Sequence, residues 1–292
     1  MQFDSLNADL RRWLQTSIEA GHGEEALQQA LREAGYDGAF ARQAVEVALA
    51  RVRAMTAAIE QSPPAPEPFA AAAGKVVTGD RAVEILMTLG SPRIALFGNL
   101  LSAQECEQLI EASRHRLERS TVVNAETGEY DVHADRTSAG THFERGETPL
   151  VARIEKRLGE LIGCPVDNGE PLQVLHYLPG DEYKPHYDYF DASQPGGERV
   201  LAMGGQRIAT VVMYLNDVEA GGSTVFPALG LEVLPRRGSA VYFVNASASG
   251  EVDPRTLHGG SPVVAGEKWI ATKWLRQRRY LGPGSSQVVK KP

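Results

Sequence analysis

The sequence predicts an α+β chain: a small helical bundle, then a β-sandwich or jelly roll buttressed by helices. Apolar residues recur at helical spacing through the first sixty residues, and a proline- and alanine-rich stretch follows at 62–75. Beyond it, two amphipathic segments give way to many short β-rich runs divided by glycine and proline. Helices followed by a series of short strands form the pattern of a β-sandwich or jelly roll buttressed by helices.

Taken in order, Leu6, Leu10, Trp13, Leu14 and Ile18 predict a first helix that stops at Gly21. Leu27, Ala30, Leu31 and Ala34 predict a second, ended by Gly35, and Asp37 caps a third through Val45, Leu49 and Val52. Trp13 is expected in the core of this bundle, 1–61. Ser62-Pro63-Pro64-Ala65-Pro66-Glu67-Pro68 opens a linker over 62–75, where proline density favours an extended spacer. The main domain is expected over 76–283, with a short tail at 284–292. Ser102-Ala103-Gln104-Glu105 is a capping box opening a helix toward Leu109 and Ile110. Thr148-Pro149 opens another through Val151, Ile154, Leu158 and Leu161, closed by Gly163. After Cys164 come the expected strands Leu172–Tyr177, Ile208–Leu215, Leu231–Leu234, Ser239–Val244 and Trp269–Leu275.

Composition narrows the function. The 292 residues carry 30 Lys and Arg against 37 Asp and Glu, so nucleic acid is not the expected partner. Two cysteines, Cys106 and Cys164, stand far apart, which excludes a disulfide scaffold and a zinc ribbon. They are expected to be inert thiols. The N-terminus has charges where a signal peptide needs an apolar run, and no run approaches the ~18 apolar residues of a membrane span. A cytoplasmic protein without a membrane partner is the expectation.

The most informative segment is Tyr183-Lys184-Pro185-His186-Tyr187-Asp188-Tyr189-Phe190. On a strand, residues two apart face the same way, so His186 and Asp188 offer an imidazole and a carboxylate to one side. That is two thirds of the two-histidine, one-carboxylate triad that leaves coordination sites on Fe(II) open. His258, ahead of a β-rich run, qualifies as the third ligand. Lys268, ten residues on, is suited to pair with a carboxylate of a metal-bound diacid. Taken singly, His258 reads as a loop histidine and Lys268 as a solvated charge; their order and spacing after His-x-Asp argue otherwise.

The stretches Gln173 to Gly180, Tyr183 to Phe190, Arg207 to Asp217, Gly221 to Pro227 and Leu257 to Trp274 resemble the catalytic core of the prolyl 4-hydroxylase family. Arg136-Thr137-Ser138 resembles that family's upstream Arg-x-Ser segment. The likeness covers about 80–282 and leaves out the N-terminal bundle. It implies a double-stranded β-helix, the jelly roll already named, working as an Fe(II)- and 2-oxoglutarate-dependent dioxygenase. It implies that His186, Asp188 and His258 bind Fe(2+). By the same likeness Lys268 would pair with the distal carboxylate of 2-oxoglutarate, helped by the hydroxyls of Tyr177 and Thr224. Arg136, Ser138, Arg207 and Trp274 match positions lining a peptide groove. The likeness further implies dioxygen as the second cosubstrate, ascorbate as the reductant, and a peptidyl proline, hydroxylated at C4, as the target. Succinate and carbon dioxide would be released. Two segments depart from the family pattern, the long loop Asp191 to Gln206 and Thr141-His142-Phe143-Glu144.

Three other readings stand beside this one: the same oxidation of a free amino acid, another side chain or other small molecule, repair of an alkylated base, and a jelly-roll binding module with a vestigial metal site. Asp188 argues against a halogenase, which needs that coordination position free. Lys268 and the acidic chain argue against base repair, and the complete triad against a binding module. His176 alternates with Tyr177 and reads as a sheet-surface histidine. His22 and His115 read as solvated, while His133 and His142 flank Arg136 and read either as substrate contacts or as ordinary loop histidines. Arg276, Arg278 and Arg279 read as a solvated strand end.

Overall fold

The computed structural model describes residues 3, 6–19, 22–61, 74–123 and 126–282. The linker's 62–73 and the tail's 284–292 lie outside the described residues. The chain divides into two compact units, Met1–Ala65 and Pro66–Pro292. Among the described residues no helix is long and apolar enough to cross a membrane.

The first unit consists of α1 (Ala8–Glu19), α2 (Glu24–Glu33) and α3 (Gly38–Gln61). Leu6, Leu10, Leu14, Leu27, Leu31, Ala41, Ala44, Val45 and Ala48 form its core. Asp37 Oδ1 caps α3, accepting from the backbone N–H groups of Ala39 and Phe40. Trp13 departs from expectation: it is 39% exposed, because Leu10 and Leu14 carry the buried stripe and the indole sits beside it.

The second unit runs β1 (Lys75–Val77), β2 (Ala82–Leu89), β3 (Ile94–Gly98), α4 (Ala103–Arg114), β4 (Glu118–Arg119), β5 (Thr121–Val123), β6 (Tyr130–Val132), β7 (Ala139–Phe143) and α5 (Pro149–Ile162). It continues with β8 (Leu172–Tyr177), β9 (Tyr183–His186), α6 (Gly197–Ala202), β10 (Arg207–Tyr214), β11 (Ala220–Gly221), β12 (Thr224–Phe226) and β13 (Leu231–Val233). β14 (Ala240–Val244), β15 (His258–Gly260), β16 (Val263–Ala265) and β17 (Lys268–Arg276) complete it. Two sheets make the jelly roll. The larger has nine strands in the order β1-β2-β3-β14-β10-β17-β8-β7-β4, and the smaller reads β13-β12-β15-β9. Strands therefore begin well before Cys164, and β1 to β3 extend the larger sheet beyond β14, where helices alone were expected.

The two-residue alternation of the strands sorts side chains between two cores. Val174, Ala209, Val211, Met213, Tyr242, Trp269 and Ala271 face α4 and α5, meeting Leu109, Val151, Ile154 and Leu158. Leu175, Tyr177, Val212, Tyr214, Phe243 and Ile270 face the other way, into the roll, and meet Phe226 and Val233 of the smaller sheet. The two helices are set by local signals. Ser102 and Glu105 cap α4 reciprocally, and Thr148 Oγ1 accepts from the Val151 N–H of α5. Gly163, at φ 71°, ends α5 in the left-handed conformation that a side chain would disfavour.

Candidate active site

β9 and β15 run antiparallel in the smaller sheet, with His186 opposite His258. Their closeness depends on Gly259: a Cβ there would lie 2.9 Å from the Tyr183 carbonyl oxygen. The imidazole centroids are 4.4 Å apart. Each Nδ1 faces a backbone carbonyl two residues upstream, His186 that of Lys184 at 2.9 Å and His258 that of Thr256 at 2.9 Å. A carbonyl only accepts, so both rings carry their proton on Nδ1 and turn a bare Nε2 inward. Asp188 lies between them, Oδ1 3.7 Å from His186 Nε2 and Oδ2 3.4 Å from His258 Nε2. The three donor atoms fall within 4.8 Å of one another, a spacing that fits a single metal ion.

The surroundings set the charge states. Burial and the neighbouring His258 push the His186 pKa down to about 3, so the ring is neutral and free to ligate. Burial opposes ionisation of Asp188, but the positive charge around it, Arg207 included, holds the carboxyl below the usual range. Thr210 Oγ1 donates to Asp188 Oδ2 at 2.7 Å and accepts from Asn245 Nδ2 at 2.8 Å. Arg207 donates to the Asp188 carbonyl at 3.4 Å. These partners fix a carboxylate that lies in the bend past the end of β9 rather than on the strand.

Behind the triad, Tyr177, Thr224, His258 and Lys268 line an inner pocket. Lys268 enters it from the first residue of β17, opposite Tyr177 on β8. Asn216 pins the backbone on both sides of it, donating to the Glu267 carbonyl at 2.8 Å and accepting from the Trp269 N–H at 2.7 Å. The ammonium lies 5.2 Å from the Tyr177 ring and forms no ion pair among the described residues. Burial lowers its pKa to about 8. A buried cation facing hydroxyls and no acid is a seat for an anion. Tyr214, which the sequence reading did not single out, donates to Thr224 Oγ1 at 2.8 Å and leaves that hydroxyl's proton for the pocket.

In front of the triad a cleft of about 1260 Å³ opens, walled by Arg136, Tyr183, Arg207 and Trp274. Arg136 is held by the Thr121 carbonyl at 2.9 Å and Gln173 Oε1 at 2.7 Å, and stands over the Tyr183 ring. Arg207 lies between Trp274, 4.0 Å away, and Phe190, 4.7 Å away. Glu170 anchors it with both oxygens, at 2.6 and 2.8 Å. Ser138 differs from the expected groove position. It is fully buried, lines neither cavity, and bonds Ser120 Oγ at 3.0 Å and the Tyr177 hydroxyl from behind. Arg276 differs too. It is 1% exposed, pairs with Glu170 at 2.8 Å and donates to the Val200 and Gly205 carbonyls, so only Arg278 and Arg279 are the solvated end. His176 stacks on Trp269 and meets Glu267 at 2.6 Å on the helix side of the sheet. His142 bonds Gln173 at 3.0 Å in the cleft wall. Burial raises the Cys106 and Cys164 thiols to about 11, away from reactivity.

Comparison with known proteins places this geometry. Residues 172–276 match the 2OG-Fe(II) oxygenase superfamily. The probable prolyl 4-hydroxylase 10 of Arabidopsis thaliana is 43% identical over 220 residues, 69% of this chain and 74% of that protein. The rat prolyl 4-hydroxylase subunit alpha-1 is 41% identical over 187 residues, 64% of this chain and 35% of that subunit. Among solved structures, the 2OG complex of the viral collagen prolyl hydroxylase vCPH from Paramecium Bursaria Chlorella virus-1 aligns with a TM-score of 0.50 at 30% identity, covering 63% of this chain and 95% of that one. The chain belongs to the prolyl 4-hydroxylase family and is an oxidoreductase of the Fe(II)- and 2-oxoglutarate-dependent kind.

Proposed function

We propose that this chain hydroxylates a proline within a peptide, at C4. One oxygen of dioxygen goes to the proline and the other to succinate, with carbon dioxide leaving 2-oxoglutarate. The observation that carries the reading is the arrangement around the triad. A pocket with an unpaired buried ammonium lies on one side and a cleft of about 1260 Å³ on the other. That volume exceeds the ~300–1,000 Å³ of ordinary small-molecule sites and suits an extended peptide better than a free amino acid.

In this reading His186, Asp188 and His258 hold Fe(2+) through the two bare Nε2 atoms and a carboxylate oxygen. Iron with 2-oxoglutarate and dioxygen supplies the oxidising chemistry. Lys268 binds the diacid's distal carboxylate, and the Thr224 and Tyr177 hydroxyls orient it. Trp274 and Tyr183 offer apolar faces to the proline ring, and Arg207 and Arg136 hold the peptide. Ascorbate as reductant belongs to the proposal; the His186 side chain is 21% exposed, so a small reductant reaches the metal from the cleft. A reducing, cytoplasmic setting is supported by two free thiols.

The test is direct. With Fe(II), 2-oxoglutarate and a proline-repeat peptide, the protein should form succinate and add one oxygen to proline. His186→Ala, Asp188→Ala and His258→Ala should each reduce both products to background at limiting Fe(II). Near-normal succinate from any of the three would remove that residue from the metal. Succinate without peptide oxidation, across a proline-peptide panel, would move the target elsewhere.

A further inference from the structure

The inner pocket offers an anion the Lys268 ammonium and the Thr224 hydroxyl. What aims each of them lies at one place in the chain, the end of β10. The Lys268 stem passes two glycines: a Cβ on Gly222 would lie 3.2 Å from its Cδ, and one on Gly260 3.5 Å from its Nζ. No side chain steers the ammonium from those two positions, so its aim follows the backbone it hangs from. That backbone opens β17, and β8 holds it on one side. On the other side β10 runs out: the Leu215 N–H donates to the Trp269 carbonyl at 2.9 Å, and the chain then bends at Asn216. The Asn216 carboxamide makes the next rung itself, with the Glu267 carbonyl at 2.8 Å and the Trp269 N–H at 2.7 Å. A carboxamide carries the donor and acceptor of a peptide group, so it stands in for the strand that has ended.

Two residues earlier, Tyr214 is fully buried and does not line the pocket. Its hydroxyl meets Thr224 Oγ1 at 2.8 Å and has no other partner among the described residues. Reversing that bond would strand a phenolic proton in the core, so Thr224 accepts from Tyr214 and keeps its own proton for the pocket. We infer that Asn216 and Tyr214 are positioning residues for the cosubstrate, Asn216 aiming the Lys268 ammonium and Tyr214 presenting the Thr224 proton to the distal carboxylate. Neither touches the diacid; each acts through one group that does. The inference rests on the reading of Lys268 and Thr224 as the seat of that carboxylate.

Two ligands separate positioning from general damage to the fold: 2-oxoglutarate, and 2-oxopentanoate, the same chain without the distal carboxylate. Titration calorimetry on the Mn(II)-loaded full chain reads both. Asn216→Ala should raise the 2-oxoglutarate Kd about tenfold, and Tyr214→Phe, which keeps the ring, about threefold to tenfold. In turnover the effect should fall on the 2-oxoglutarate KM rather than on kcat. The 2-oxopentanoate Kd should stay within about twofold in both, because that ligand makes no distal contact to lose. Should Asn216→Ala not fold, Asn216→Ser, small but polar, takes its place. Equal weakening of the two ligands would make these residues structural, and an unmoved 2-oxoglutarate Kd would deny them any part in binding; either result overturns the inference. Lys268→Met keeps the two failures apart. If it weakens 2-oxoglutarate while the other variants do not, only the positioning falls. If it leaves 2-oxoglutarate unmoved, the seat falls and the positioning with it.

Discussion

Lys268 and Lys273 lie on the same strand, and both are 2% exposed. Their odd spacing sends them to opposite faces of the larger sheet. Lys273 turns toward the helices and meets Glu155 of α5 at 2.5 Å, as well as the Glu170 carbonyl. Lys268 turns into the roll, where burial depresses its pKa and no acid answers it. Burying an ammonium costs several kcal/mol in either place. On the helix side a partner offsets that cost within the fold. Inside the roll it stands until an anion arrives. Burial alone does not tell a structural charge from a binding one; the presence or absence of a partner does.

The comparison breaks first at Lys273. Lys273→Ala leaves Glu155 buried and uncompensated, which should cost about 3–5 kcal/mol in urea unfolding. The half-saturating 2-oxoglutarate concentration of the folded enzyme should not move. If stability holds instead, the pair is not what compensates Glu155. Lys268→Met should do the reverse. It keeps the volume and removes the charge, so the requirement for 2-oxoglutarate should rise about ten- to a hundred-fold, while the ligand-free protein loses no stability. A fall in stability with unaltered cosubstrate dependence would make Lys268 a structural charge after all.

The smallest effect is graded with pH. The folded pKa of Lys268, about 8, lies below the ordinary 10.5. Between these values the unfolded chain keeps a proton the folded chain has released, so ligand-free stability should rise with pH there, relative to Lys268→Met. Binding of the diacid needs the ammonium. Its apparent Kd should therefore climb about tenfold per pH unit above about 8. A Kd flat to pH 10, measured by titration calorimetry, would place the cosubstrate's charge contact on another residue.

Much of this site is legible in the sequence because its parts are local. His186 and Asp188 stand two residues apart, His186 closing β9 and Asp188 in the bend just past it where an unbroken strand was expected, and Ser102, Glu105, Thr148 and Gly163 announce their helix ends within a few residues. What escapes is long-range. Arg276 reads as solvated until Glu170, distant in the chain, is brought against it. Thr210 and Asn245 are unremarkable until two strands of the larger sheet place them beneath Asp188. Ser138 matches a groove motif, yet packing puts it behind Tyr177. β2 gives a weak signal because neither of its faces is uniformly buried. Trp13 fits the helical stripe in spacing, but Leu10 and Leu14 already fill the bundle's core.

The carbonyl bonds to the two Nδ1 atoms reach further than orientation. Each ring is tied to its own strand, so little rearrangement separates the empty cage from a loaded one. A cage that is rigid in ring direction but open on its far side has few means of telling one first-row dication from the next. Nickel, copper and zinc bind nitrogen and oxygen donors more tightly than iron does. The identity of the ion in this protein is therefore governed by supply, by the order of encounter in the cell and by the redox state of the surroundings. Mis-metallated, inactive molecules are the expected hazard wherever zinc is plentiful.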